Sequence, residues 1–127
     1  MKRCPDCKRN KPETAFTKCA SKVDGLDTYC RACKNHRQRR NRYGLSKDEY
    51  RALLADHGRR CGICGDRCSE RDSLSVDHCH ESGMVRGLLC NVCNRAIGLL
   101  GDSPEKLARA MAYLNRSRVL QDLVRSV

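Results

Sequence analysis

Cys61-Gly62-Ile63-Cys64, then Asp77-His78-Cys79-His80, then Cys90-Asn91-Val92-Cys93-Asn94 decide how this chain folds. Two Cys-x-x-Cys pairs bracket a run of hard-metal and proton-transfer residues. The pairs are separated by 25 residues. Four thiolates so placed can enclose one tetrahedral zinc, and a site with four protein ligands has no open position, so this ion is structural. A rival set, Cys61 and Cys64 with His78 and His80, fits poorly. A Cys2His2 finger wants about 3–5 residues between its histidines. Here there is one, and Cys90 and Cys93 would be stranded.

Working outward, residues 74–80 and 84–89 read as two short strands around Glu81-Ser82-Gly83, a hairpin with glycine in its turn. Cys90 to Leu100 reads as a helix ended by Gly101, with Cys90 and Cys93 at i and i+3 so that both reach one ion. Upstream, Ser46-Lys47-Asp48-Glu49 is a capping box that opens a helix over residues 46–57. Tyr50, Leu53 and Leu54 follow at helical spacing. His57 reads as a satisfied helix-end histidine rather than a ligand, and Gly58 as the C-cap. Downstream, Ser103 caps and Pro104 suits the first position of a last helix. Its apolar stripe of Leu107, Ala110, Met111, Leu114 and Leu120 to Val124 suits intrachain packing first and a dimer seam second. Asn115-Arg116-Ser117 is a candidate break within it.

Residues 1–43 form a separate N-terminal unit in this reading, and residues 44–127 the second domain. Cys4-Pro5-Asp6-Cys7 opens the first unit and Cys30-Arg31-Ala32-Cys33 closes it. Phe16, Leu26 and Tyr29 are its few apolar packers, so a second structural zinc on Cys4, Cys7, Cys30 and Cys33 is expected to drive its folding. Residues 34–42 carry five Lys/Arg and no acid. Such a run reads either as a solvated helix or connector, or as a phosphate-contacting arm of Arg37, Arg39, Arg40 and Arg42; the second is favoured.

Size and composition agree. The chain has 127 residues, no Trp and one Phe, too few bulky side chains for a large core. Eleven cysteines compensate, and eight of them fall into four Cys-x-x-Cys units. Met1-Lys2-Arg3-Cys4 opens no signal peptide and no stretch reaches membrane-spanning length, so a cytoplasmic chain without membrane partners is expected, with zinc rather than disulfides. Cys19, Cys68 and Cys79 remain as ordinary thiols. The formal charge is +11, and each Zn(Cys)4 lowers it by two, leaving about +7. A polyanion is the expected partner.

Phosphodiester hydrolysis needs a hard cation against developing charge, a base for water and help for the leaving oxygen. Asp77 is an oxygen ligand suited to Mg²⁺ or Mn²⁺, Asn94 supplies a second oxygen, and His78 suits a general base. Asn94 follows Cys90 by one helical turn, so the zinc fixes where it points. Each residue alone has a bland reading: Asp77 a strand-end turn former, the histidines surface groups, Asn94 a polar helix position. Their combination in this order favours the site. In an ideal strand Asp77 and His78 would face opposite ways, so the strand ends or bulges there, or the two address different faces.

Val76-Asp77-His78-Cys79-His80, Gly83-Met84-Val85-Arg86-Gly87-Leu88-Leu89-Cys90 and Asn91-Val92-Cys93-Asn94 together resemble the recombination endonuclease VII family of HNH, or His-Me finger, nucleases. The resemblance covers about residues 45–114. It implies a small zinc-stabilised α+β protein with a ββα-metal core and flanking helices, the N-terminal zinc-ribbon-like unit being extra. It implies a Mg-dependent endodeoxyribonuclease that resolves branched DNA such as Holliday junctions as a homodimer. Asp77 and Asn94 then hold the divalent ion, His78 is the base, and His80 is a further active-site histidine. Arg86 is expected on DNA phosphate or on an acid near the hairpin. In two places the chain departs from the family: Cys79 stands where an acid often separates the histidines, and Ile97 where the junction-resolving prototype carries glutamate. The alternative expectation is a non-catalytic double-zinc nucleic-acid-binding module.

Overall fold

The computed structural model describes residues 1–68 and 74–127. Their contacts divide the chain into two units: Met1–Asp56 with His78–Val85, and His57–Asp77 with Arg86–Val127.

The first unit begins with a knuckle. β1 (Lys2–Arg3) pairs antiparallel with β2 (Asn10–Lys11), in register Lys2 to Lys11. Between them the Cys4 N–H donates to the Arg9 carbonyl at 3.0 Å, and Lys8 takes a left-handed φ of 56° to close the turn. A 3₁₀ turn at Glu13–Ala15 leads into β3 (Phe16–Lys18), which pairs antiparallel with β4 (Leu26–Cys30) through an irregular register. The basic run is helical: α1 spans Arg31–Tyr43 and ends where Gly44, at φ 67°, donates its N–H to the Arg40 carbonyl. α2 (Lys47–Asp56) opens on the expected capping box. Ser46 Oγ accepts from the Glu49 N–H at 3.2 Å, while a Glu49 carboxylate oxygen accepts from the Ser46 N–H at 2.7 Å. The core here is Phe16 packed among Cys4, Cys30 and Cys33, with Ala15, Leu26 and Tyr29 at its margin. One buried Phe contributes about 1.5–3 kcal/mol, so a cluster of this size leaves most of the stabilisation to metal ligation.

In the second unit a bridge between Arg60 and Arg67 flanks the second knuckle. β5 (Ser75–His78) and β6 (Val85–Leu89) form a two-stranded sheet, followed by α3 (Asn91–Leu99) and α4 (Pro104–Arg125). Strand, strand, helix is the ββα order expected. Both strands are shorter than the sequence reading. β5 stops at His78; in the turn that follows, whose residues His78–Val85 count with the first unit, the Cys79 N–H donates to the Met84 carbonyl and Gly83 takes φ 72°.

Three further expectations change. Cys90 lies outside the helix as its N-cap, with φ −66° and ψ 160°, because its sulfur accepts from the Cys93 N–H and so satisfies an orphan donor. The last helix runs unbroken through Asn115-Arg116-Ser117, since none of the three is Gly or Pro and each tolerates a helix interior. Most of its apolar side chains are exposed: Met111, Leu114, Leu120, Leu123 and Val124 all are, while Ala110 is half-buried. Leu107, Met111 and Leu114 share one face, whereas Leu120 and Leu123 fall roughly half a turn away at about 100° per residue.

Candidate metal centres and active-site residues

Both cysteine sets converge. The sulfurs of Cys4, Cys7, Cys30 and Cys33 lie within 4.8 Å of one another, as do those of Cys61, Cys64, Cys90 and Cys93. All eight are free thiols rather than disulfides. The two clusters are built alike. Each takes two sulfurs from a tight knuckle, one from a helix N-cap (Cys30 or Cys90) and one from the third residue of that helix (Cys33 or Cys93). Backbone N–H groups point at the sulfurs: Cys30 at Cys4, Ile63 at Cys61, Asp66 at Cys64, and Cys93 at Cys90, at 3.4–3.5 Å.

Burial works to raise the Cys4 and Cys61 thiols, but the N–H donors outweigh it and bring each down to about 6. Their neighbours move the other way. Cys93 is pushed up to about 12 through its bond to Cys90, and Cys33 is raised by burial. Four sulfurs this close cannot all ionise unaided; a dication resolves the conflict. The donor sets therefore suit two zinc ions.

The second knuckle is pinned to the strand that leads to Cys90. Gly62 N–H donates to the Leu88 carbonyl at 3.0 Å, and Nε2 of His57 accepts from the Leu88 N–H at 3.4 Å. A Cβ on Gly62 would stand 3.2 Å from the Leu88 oxygen, so only glycine fits comfortably. His57 is thus satisfied, as expected.

Asp77 is buried, at 8% exposure. Both carboxylate oxygens accept from Arg86, one from Nε at 2.7 Å and one from Nη2 at 2.9 Å. The same Nη2 lies 3.4 Å from Asp102. Hydrogen bonding to Asp77 raises the Arg86 guanidinium further into its charged range. Of its two expected partners, Arg86 has therefore taken the acid, in fact two acids. Asn94 is half-buried in the first turn of α3, its N–H donating to the Cys90 carbonyl at 3.0 Å. Asp77 and Asn94 belong to the same unit, and their donor set of carboxylate and amide oxygen suits a hard divalent ion.

His78 and His80 come together in the other unit, with ring centroids 4.7 Å apart. Tyr43, at the end of α1, lies 5.2 Å from the His78 ring. Cys79 stands outside both metal clusters, its thiol lowered by Ser82. The arginines of α1 divide. Arg39 lies 3.5 Å over the Tyr50 ring and Arg37 4.3 Å over Tyr29, whereas Arg40 and Arg42 are exposed. Sequence reasoning missed Tyr43 and Asp102. The only signal for Asp102 was an acid placed just after a helix stop, which is ordinary turn composition.

The sequence model of the recombination endonuclease VII family matches residues 36–116. With a ββα element whose helix start holds two sulfurs of a Cys4 cluster and this match across most of its length, the chain belongs to the recombination endonuclease VII family. It is 45% identical over 80 residues to the Gene 59 protein of Mycobacterium phage D29, covering 62% of this chain and 48% of that one. To the Gene 59 protein of Mycobacterium phage L5 it is 44% identical over 73 residues, covering 57% and 44%. The chain therefore spans about half the length of these relatives. Among solved structures it is similar to the β-β-α-Me type II restriction endonuclease Hpy99I, at 26% identity and a TM-score of 0.42, over 91% of this chain and 65% of that one. Among the described residues, no helix is long and apolar enough to cross a membrane.

Proposed function

We propose that this chain is a metal-dependent DNA endonuclease of the HNH type. The observation that carries this reading is that Asp77-His78 and Asn94 fall inside the family match, with Asn94 in the first turn of a helix whose start holds two sulfurs of a Cys4 cluster. Asp77 and Asn94 would hold Mg²⁺ or Mn²⁺. Bound there, the ion would supply positive charge against the charge that develops on the phosphate. His78 is the general base that takes the proton from the attacking water. Packing against Tyr43 and His80 restricts its ring. His80 contacts the phosphate or the leaving oxygen. With an ion bound, Arg86 would share Asp77 with it and would keep Asp102 as an anchor.

Residues 1–43 act in this reading as a zinc-held module with a basic arm, and residues 44–127 as the nuclease domain. Arg40 and Arg42 are the exposed members of that arm and reach DNA phosphate; Arg39 is held over Tyr50, and Arg37, braced over Tyr29, presents its charge to phosphate beside them. Such contacts hold the backbone without reading sequence. The working form is a homodimer built on the exposed apolar side chains of α4, and the substrate is branched DNA such as a Holliday junction. A non-catalytic zinc module keeps one point in its favour, because both oxygens of Asp77 are already engaged by Arg86.

The experiment compares a four-way junction, a nicked duplex and linear duplex as substrates for the wild type and Asp77→Ala. The expected result is Mg²⁺-dependent cutting by the wild type, fastest on the junction, and none by the variant. Equal, metal-independent activity of both proteins rejects the mechanism; junction binding without cutting by either favours the non-catalytic module.

A further inference from the structure

On the first unit a pocket of about 310 Å³ is lined by Asp6, Cys7, Cys33, His36, Arg37, Arg40, Ser46 and Lys47. We propose that this pocket binds one phosphodiester group of a nucleic-acid backbone, gripped by Arg40, Lys47 and Arg37. The proposal rests on the reading of DNA as the substrate, and it adds a defined subsite to it.

Three cations face one small space that also holds a single carboxylate, Asp6. Among the described residues neither Arg40 nor Lys47 has an ion-pair partner. Lys47 is the first residue of α2, where the positive end of the helix dipole disfavours a cation. The positive field is also felt at His36, whose imidazole is lowered by burial and then by Arg39, Lys47 and Arg51. Like charges gathered at an unfavourable helix end call for an external anion.

The bland rival is that these cations neutralise the zinc thiolates, since Cys7 and Cys33 form one wall. Against it, the sulfur contacts are made by backbone N–H groups. Among the described residues none of the three cations hydrogen-bonds a cysteine sulfur. A phosphate fits better: Arg37 is braced over Tyr29, leaving its charge fixed in place, while Arg40 and Lys47 are exposed and free to close on an oxygen.

The test measures fluorescence anisotropy of a labelled duplex with no added divalent ion, over a series of salt concentrations. It uses the zinc-loaded wild type, Arg40→Gln/Lys47→Gln, and a charge-matched control, Arg116→Gln/Arg118→Gln on α4. Each lost phosphate contact reduces the slope of log K against log salt by about 0.9. The pocket variant is expected to lose between one and two such steps and about tenfold in affinity at 0.1 M salt, well beyond the control. Its zinc content should stay at two per chain. Its melting temperature should hold or rise slightly, because Lys47→Gln relieves the helix end.

Loss of zinc from the first cluster, or a salt slope no different from the control, overturns the proposal. A second arm adds inorganic phosphate at constant ionic strength. Displacement of the duplex by about 10 mM phosphate, in the wild type alone, would make the pocket a small-anion site and overturn the backbone assignment. Absence of Mg²⁺-dependent cutting would sink the nuclease reading and leave this binding result standing; cutting with an unchanged slope would do the reverse.

Discussion

Replacing Arg86 with Gln should destabilise the protein more than replacing Asp77 with Ala, and the two changes should be strongly coupled. The side chain of Asp77 is 11% exposed and that of Arg86 37%. Breaking a fully buried pair by removing one partner costs about 3–5 kcal/mol, and an exposed pair is worth about 0–1 kcal/mol. This bidentate, half-sheltered pair lies between, so a coupling of about 1.5–3 kcal/mol is expected. The asymmetry follows from Asp102. In Asp77→Ala, Arg86 keeps a carboxylate 3.4 Å away, whereas in Arg86→Gln the buried Asp77 loses both of its donors. The assay is urea unfolding of the wild type, both single variants and the double variant, zinc-loaded and without Mg²⁺. Added Mg²⁺ should then stabilise Arg86→Gln more than the wild type, because it meets a carboxylate with no competing cation. Coupling below about 0.5 kcal/mol, or equal losses in the two single variants, would refute this account of how Asp77 is held.

Other outcomes follow from the same structure. Cys4 and Cys61 ionise at about 6 rather than in the ordinary thiol range. Their contribution to folding is therefore complete above the ordinary thiol pKa and is lost as pH falls through about 6. Zinc should be retained at pH 7 and released to a colorimetric chelator, with loss of helical circular dichroism, only as pH drops below that range; release at pH 7.5 would contradict it. Cys90→Ala should lose one zinc of two and cost about 1 kcal/mol or more beyond the lost metal energy, since a cap and a ligand go together. Measurement of zinc per chain and of thermal unfolding checks this, and two retained zinc ions would refute it. Met111→Glu with Leu120→Glu on α4 should convert a dimer to a monomer in sedimentation velocity without changing zinc content. A wild type that sediments as a monomer at about 100 μM would remove the proposed role of that helix.

Much of the site's frame was legible because its signals are local. The Cys-x-x-Cys spacing, Ser46 with Glu49, and Ser103 with Pro104 each state their geometry within four residues. What escaped the sequence depends on distance along the chain or on ambiguity of role. Arg86 and Asp77 are nine residues apart and Asp102 lies farther on, so nothing periodic links them. Cys90 could be read as ligand or cap, and it occupies the cap position while pointing its sulfur at the cluster, because one sulfur can do both. Asn115-Arg116-Ser117 read as a candidate break in α4, yet the helix runs through it, and an exposed helix has no need to keep its apolar residues on one face. In α1 a plain run of charge concealed a division of labour. The tyrosines beneath Arg37 and Arg39 distinguish them from the exposed Arg40 and Arg42.

Plasmid nicking by the wild type and His78→Ala, both carrying two zinc ions and equally folded, tests the central claim most directly. The account predicts Mg²⁺-dependent conversion of supercoiled to open-circular DNA by the wild type, reduced by at least about 100-fold in the variant, in line with the loss of a general base. Equal nicking by both proteins, or none by the wild type at any Mg²⁺ or Mn²⁺ concentration, would contradict it.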